Sequence, residues 1–153
     1  VANTYTQIYI QMVFAPYGRT NLIPTRHREE IYKYITGIVG NQRCKMICIG
    51  GMPDHLHILV GLHPATAISG LVREVKSESS LLINSRRWVH GKFAWQEGYG
   101  AFSYGRSQLA ALITYIQRQE EHHRRQSFRG EYLSLLRKFR VEYDEQYLFE
   151  WTE

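Results

Sequence analysis

No stretch of this chain comes near the ~20 consecutive apolar residues that a membrane-spanning helix requires. Its first residues, Val1-Ala2-Asn3-Thr4-Tyr5, contain neither a basic leader nor a signal-type apolar core. Together these absences predict a cytoplasmic protein with no membrane partner. Cysteine is scarce: Cys44 and Cys48 are the only two. A zinc pair made of them would lack partners, so they are expected as buried, reduced thiols on the same face of one strand. Internal repeats, linkers and low-complexity tracts are also missing, which leaves residues 1–153 as a single domain.

Hydrophobic residues make up 44% of the 153, enough to exclude disorder, and a chain of this length buries roughly two-thirds of the surface it exposes when unfolded. Nineteen Lys and Arg against fourteen Asp and Glu give a net charge of +5, with a pI near 9.3. That balance suits a polyanionic partner. The basic residues gather late, at Arg118, His122, His123, Arg124, Arg125 and Arg129, then Arg137, Lys138 and Arg140. A solvated helix face would have the same composition.

Ile8, Ile10, Met12 and Phe14 alternate with Tyr9, Gln11 and Val13, which predicts a strand ended by Pro16 and Gly18. Pro24-Thr25 opens a helix with Ile31, Tyr34, Ile35 and Ile38 on its apolar side and Gly40 at its C-terminal cap. A second strand covers about residues 45–49, and Gly50 to Pro53 turn it into an antiparallel hairpin. A second helix follows Pro64, with Ile68, Leu71, Val72, Val75 and Leu82 as its stripe. Phe93 to Gln96 and Ala101 to Tyr104 read as one or two further strands. Ser107 is expected to cap a helix running to about His123, with Leu109, Leu112, Ile113 and Ile116 facing inward. Tyr132, Leu133, Leu135, Leu136 and Phe139 mark a last helix, and residues 141–149 form an aromatic, acidic tail without an assignment. The order predicts an α+β fold of ferredoxin-like type, an antiparallel sheet with helices packed on it.

The hairpin's second strand carries the chemistry. In Pro53-Asp54-His55-Leu56-His57, period-two alternation puts His55 and His57 on one face, about 7 Å apart along the strand, while Leu56, Ile58 and Val60 face the core. Two imidazoles so placed can grip one divalent metal, although hydrogen-bonded core histidines would give the same pattern. On the later helix, at ~100° per residue, Tyr115 and Gln119 stack on one flank, away from the centre of the apolar stripe.

Pro53-Asp54-His55-Leu56-His57, the stretch from Trp95 to Ser103, and Tyr115-Ile116-Gln117-Arg118-Gln119, in this order and in a chain of this length, resemble the single-tyrosine HUH transposases of the insertion sequence 200/605 type. The resemblance spans nearly the whole chain. It implies a ferredoxin-like fold, Tyr115 as nucleophile, and His55, His57 and Gln119 as ligands of a Mg2+ or Mn2+ ion. It further implies cleavage and rejoining of single-stranded DNA at hairpin ends through a covalent 5′-phosphotyrosine, and a homodimer whose active sites are shared between subunits. Arg118, Arg124 and Arg125 would then contact DNA. Family members commonly place a lysine in the turn after the first strand, where this chain has Pro16-Tyr17-Gly18-Arg19.

Two other readings compete. A metal-dependent hydrolase would need a third ligand, for which His63 has the right strand parity. A binding module without chemistry would stack single-stranded nucleic acid on Tyr9, Trp95 and Phe102.

Overall fold

The computed structural model describes residues 3–18 and 21–151. Arg19, in the turn after the first strand, lies outside the described residues. Strands β1 (Tyr9–Phe14), β2 (Lys45–Met52), β3 (His55–Gly61) and β4 (Gly100–Tyr104) form one sheet. Its order is β2-β3-β1-β4, and every pairing is antiparallel. The helices are α1 (Arg28–Asn41), α2 (Ile68–Ser85), α3 (Leu109–Gln117), α4 (Gln119–His123) and α5 (Phe128–Lys138). This is the α+β arrangement expected from the alternating apolar patterns.

Alternation along β1 and β3 sorts their side chains onto two faces. Ile10, Met12, Phe14, Leu56, Ile58 and Val60 join a core cluster with Ile31, Ile35, Leu71, Val72, Val75 and Ile83 from α1 and α2. Gln11, His55, His57 and Leu59 take the other face. Leu112 and Ile116 of α3 close over Leu59 and Cys48 there, each such buried side chain stabilising by about 1.5–3 kcal/mol. At the far edge α5 covers β4, with Phe139 stacked on Phe102 at 5.0 Å.

Several local expectations are corrected. The hairpin turn is only Pro53-Asp54, because β2 runs on through Gly50 and Gly51 to pair Met52 with His55. Those glycines are needed for close approach. A Cβ on Gly50 would lie 2.6 Å from the Ile116 carbonyl oxygen, and one on Gly51 would lie 2.3 Å from that of His55. Cys44 and Cys48 do not share a face. A bulge shifts the register between Met46 and Cys48, and one extra residue reverses strand parity. Cys44 therefore joins the α1/α2 core, while Cys48 lies under α3.

In α1 the stripe takes in Val39 rather than Tyr34, which is exposed. Gly40 is inside the helix, and the chain leaves through Arg43 at φ 66°. In α2 the stripe continues through Ser79 and Ile83, both buried, while Leu82 is half-buried. Residues 93–96 make a single bridge, Pro16 to Trp95, and no strand. Ser107 belongs to a 3-10 turn that Gly105 precedes. The helix expected to reach His123 is interrupted at Arg118, whose backbone (φ −104°, ψ 33°) separates α3 from α4. In the tail, Phe149 is buried and packs on Tyr132 with ring centroids 5.0 Å apart.

Candidate active site and metal centre

His55 and His57 are fully buried on the sheet face beneath α3, α4 and α5, with ring centroids 5.1 Å apart. Phe128, the first residue of α5, stacks on the His55 ring at 4.3 Å and nearly parallel. Ser127 caps that helix by accepting from the Gly130 amide. The cap sets the first turn of α5, and one turn in, Glu131 is buried on the side facing the histidines.

The Glu131 carboxylate joins the site's elements. Its Oε1 lies 3.0 Å from His57 Nε2, 3.2 Å from His55 Nε2 and 3.3 Å from His123 Nε2. Its Oε2 accepts from the Tyr115 hydroxyl and, at 3.2 Å, from Gln119 Nε2. The break at Arg118 returns Gln119 to the site, where it is 2% exposed and its Oε1 is 2.8 Å from His55 Nε2. Tyr115 is held laterally by His122, whose ring centroid is 4.3 Å away. Asp54 closes the other side of His55, with Oδ1 2.7 Å from Nδ1.

These contacts fix the charges. Burial alone would raise the Glu131 carboxyl, but the imidazoles around it, His57 foremost, and their hydrogen bonds hold it well below the usual carboxylate range. Burial would lower His55; its bonds to Asp54 and Glu131 and their charges outweigh this and push it up to about 9. His57 is lowered, chiefly by burial. Tyr115 is pushed well above its ordinary value by burial and then by the neighbouring Glu131 charge. Without an ion, the tyrosine therefore keeps its proton.

Ligand-capable atoms of His55, His57 and Glu131 all lie within 4.8 Å of one another, and all three residues are buried. Two imidazoles and a carboxylate converging in a shielded space are a donor set that fits a divalent cation. Gln119 Oε1 adds a neutral oxygen beside them. The structure thus brings together His55, His57, Tyr115 and Gln119, as expected, and adds Glu131, which sequence reasoning missed. A signal for it existed. Phe128, Glu131, Tyr132 and Leu136 form the buried stripe of α5, and a carboxylate at a core position needs a partner. Arg118 stands exposed at the α3–α4 break, and Arg124 and Arg125 are exposed just past α4. Beside Tyr115 a cleft of roughly 630 Å³ opens between α3 and α5, lined by Gln11, Tyr104, Ala111, Leu112 and Glu131 among others.

The family model described as "Transposase IS200 like" matches residues 4–119. The chain belongs to the IS200-like transposases. Two solved structures share the fold of this transposase. One, from Deinococcus radiodurans and assigned as a transposase, has a TM-score of 0.60 at 18% identity, over 78% of this chain and 95% of its own. The other, a REP-associated tyrosine transposase bound to a REP hairpin, has a TM-score of 0.61 at 13% identity, over 80% and 73%. No curated protein matches the chain. Among the described residues of this transposase, no helix is long and apolar enough to cross a membrane. Glu131 lies beyond the matched stretch, twelve residues past its end.

Proposed function

We propose that this transposase cleaves and rejoins single-stranded DNA at hairpin ends of a mobile element, with Tyr115 as the nucleophile. The tyrosine oxygen would bond to phosphorus as the bond to the 3′ oxygen breaks, giving a covalent 5′-phosphotyrosine and a free 3′ hydroxyl. The phosphotyrosine conserves the phosphodiester for rejoining. The observation that carries this reading is the shared carboxylate: Glu131 accepts from Tyr115 through one oxygen and meets His55 and His57 through the other. Nucleophile and ion site are therefore one constellation. His55, His57 and Gln119, joined by Glu131, would hold a Mg2+ or Mn2+ ion, which when bound supplies Lewis-acid stabilisation of the charge developing on the phosphate. Glu131 orients the Tyr115 hydroxyl and holds its hydrogen. Arg118, Arg124 and Arg125 flank the site and would contact phosphates, a contribution that weakens with salt. The cleft between α3 and α5 gives the strand access to Tyr115.

The competing readings find little support. His63 lies past the end of β3, and its Nδ1 accepts from the Ala65 amide at 3.0 Å, a local turn contact away from the histidine pair. Phe102 is buried, and Trp95 packs edge-on against Phe14 and Phe93 while its Nε1 donates to Ser79. Those two aromatics serve the core, and Tyr9 is partly buried beside the cluster under α3.

A homodimer is part of the proposal. One chain, however, assembles Tyr115, Gln119 and Glu131 over its own His55 and His57, so the shared site expected from the family is not needed to complete the constellation. The test is incubation with a labelled hairpin oligonucleotide and Mg2+ or Mn2+, followed by denaturing electrophoresis. A covalent adduct is expected, absent in Tyr115→Phe and in chelator, with DNA binding kept in both. Wild-type cleavage by Tyr115→Phe, or an adduct mapping to Tyr104 or Tyr132, would refute the assignment.

A further inference from the structure

The two histidines of the site are held in unlike ways. His55 has a carboxylate on its Nδ1 side, at Asp54, so that nitrogen carries a hydrogen and Nε2 can turn to an ion without any change behind the ring. Among the described residues, none sets a carboxylate behind His57. Its Nδ1 faces Gln11, a fully buried residue of β1, at 2.9 Å. Gln11 and His57 are diagonal neighbours on the same sheet face, since Gln11 pairs with Leu59 and His57 with Val13. Behind Gln11, the Tyr104 hydroxyl on β4 donates to its Oε1 at 2.7 Å.

The direction of this chain of bonds follows from its far end. An ionised carboxylate has no hydrogen to give, so the His57 Nε2 that meets Glu131 Oε1 must carry one. The amide nitrogen of Gln11, which can only donate, faces Nδ1 at 2.9 Å, so Nδ1 is bare and accepts. The amide oxygen accepts from Tyr104. Tyr104, Gln11, His57 and Glu131 thus form one relay with every hydrogen pointing toward the carboxylate.

A metal-bound Nε2 requires the opposite arrangement. The hydrogen must sit on Nδ1, and Nδ1 then needs an acceptor. We propose that Gln11, backed by Tyr104, is the positioning residue for His57. Its amide rotates when the ion binds, presenting Oε1 to Nδ1–H and its nitrogen to the Tyr104 oxygen. The Tyr104 hydroxyl hydrogen then swings to the cleft that Tyr104 and Gln11 both line. Loading of the ion reverses the whole relay. This inference rests on the ion site proposed above.

The test uses the full chain and two readouts besides cleavage. In the metal-free wild type, side-chain nitrogen resonances should place the His57 hydrogen on Nε2; saturating Mg2+ should move it to Nδ1. In Mn2+ titrations, Gln11→Leu, which offers Nδ1 no partner, should weaken binding about 10- to 100-fold. Gln11→Glu, which accepts without rotating, should bind within a few-fold of wild type or more tightly. Wild-type affinity in Gln11→Leu, equal losses in both variants, or a hydrogen already on Nδ1 in the metal-free protein would overturn the relay. If Gln11→Leu does not fold, the wild-type resonances decide alone. Failure of the wild type to bind Mn2+ at all would instead remove the ion site itself, and the relay with it.

Discussion

Gly50→Ala should uncouple folding from catalysis, because this glycine is the seat of the helix that carries Tyr115. The added methyl would lie 2.6 Å from the Ile116 carbonyl oxygen and 3.0 Å from Ile116 Cγ2. Ordinary contact begins at 3.4 Å, so restoring it requires α3 and β2 to part by about 0.8 Å at that point. The obstacle is backbone, which cannot rotate aside. Overpacking of this kind costs about 1–3 kcal/mol, less than the ~5–15 kcal/mol by which a domain of this class is stable. The fold should survive. Tyr115 adjoins Ile116 and must move with it, and a misplacement of about 1 Å in a reacting group costs on the order of 10²-fold in rate. Urea unfolding should therefore show a modest loss of stability, and adduct formation at saturating hairpin should fall roughly a hundredfold, with hairpin affinity little changed. Gly61→Ala is the control, since its methyl would meet nothing closer than Lys45 Cβ at 3.7 Å. If Gly50→Ala forms adduct at the wild-type rate, the seating of α3 on β2 does not set the position of Tyr115.

Glu131→Ala leaves the buried His55 charge without that carboxylate and should destabilise by about 3–5 kcal/mol, with a smaller loss in Glu131→Gln; an unfolding midpoint unchanged in either would contradict the contacts described. In the metal-free chain His55 is raised to about 9, so its contribution is fully present below the imidazole value of about 6.5 in the unfolded chain and disappears as pH climbs through 9. Thermal melts in chelator should accordingly show stability declining from about pH 6.5 to 9, and a rise over that interval would contradict the assignment of a charged His55. Co-refolding His55→Ala with Tyr115→Phe should restore no cleavage if each site is built from one chain; recovery to about a quarter of wild type, as random pairing predicts for exchanged helices, would show that subunits share sites.

The strands and the inward sides of the helices were legible because burial repeats with the period of each element, and His55, Leu56 and His57 needed only strand alternation to be placed. Features that depend on contacts distant in sequence were not legible. The bulge that sends Cys44 and Cys48 to opposite faces has no glycine or proline within Lys45-Met46-Ile47-Cys48 to mark it. The break at Arg118 lies in a run of good helix formers, Gln117-Arg118-Gln119-Glu120-Glu121, where local propensity favours continuation. In the structure Gln119 meets His55 and Glu131, contacts across 64 and 12 residues that no local pattern encodes. Glu131 was concealed differently: a lone acid beside aromatics looks like a helix boundary residue until three imidazoles are seen to converge on it.

The position of Glu131 in α5, outside the stretch that matches the family, bears on how a damaged copy of this gene would be read. A lesion that shifts the reading frame after Gln119 would spare the histidine pair, the tyrosine and the glutamine, and a survey of motifs would count that copy as intact. Its product would nonetheless lack α5, and with it the carboxylate that His55, His57 and Tyr115 meet. For this chain, a count of motifs therefore says nothing about whether the acid on the inward side of α5 is kept.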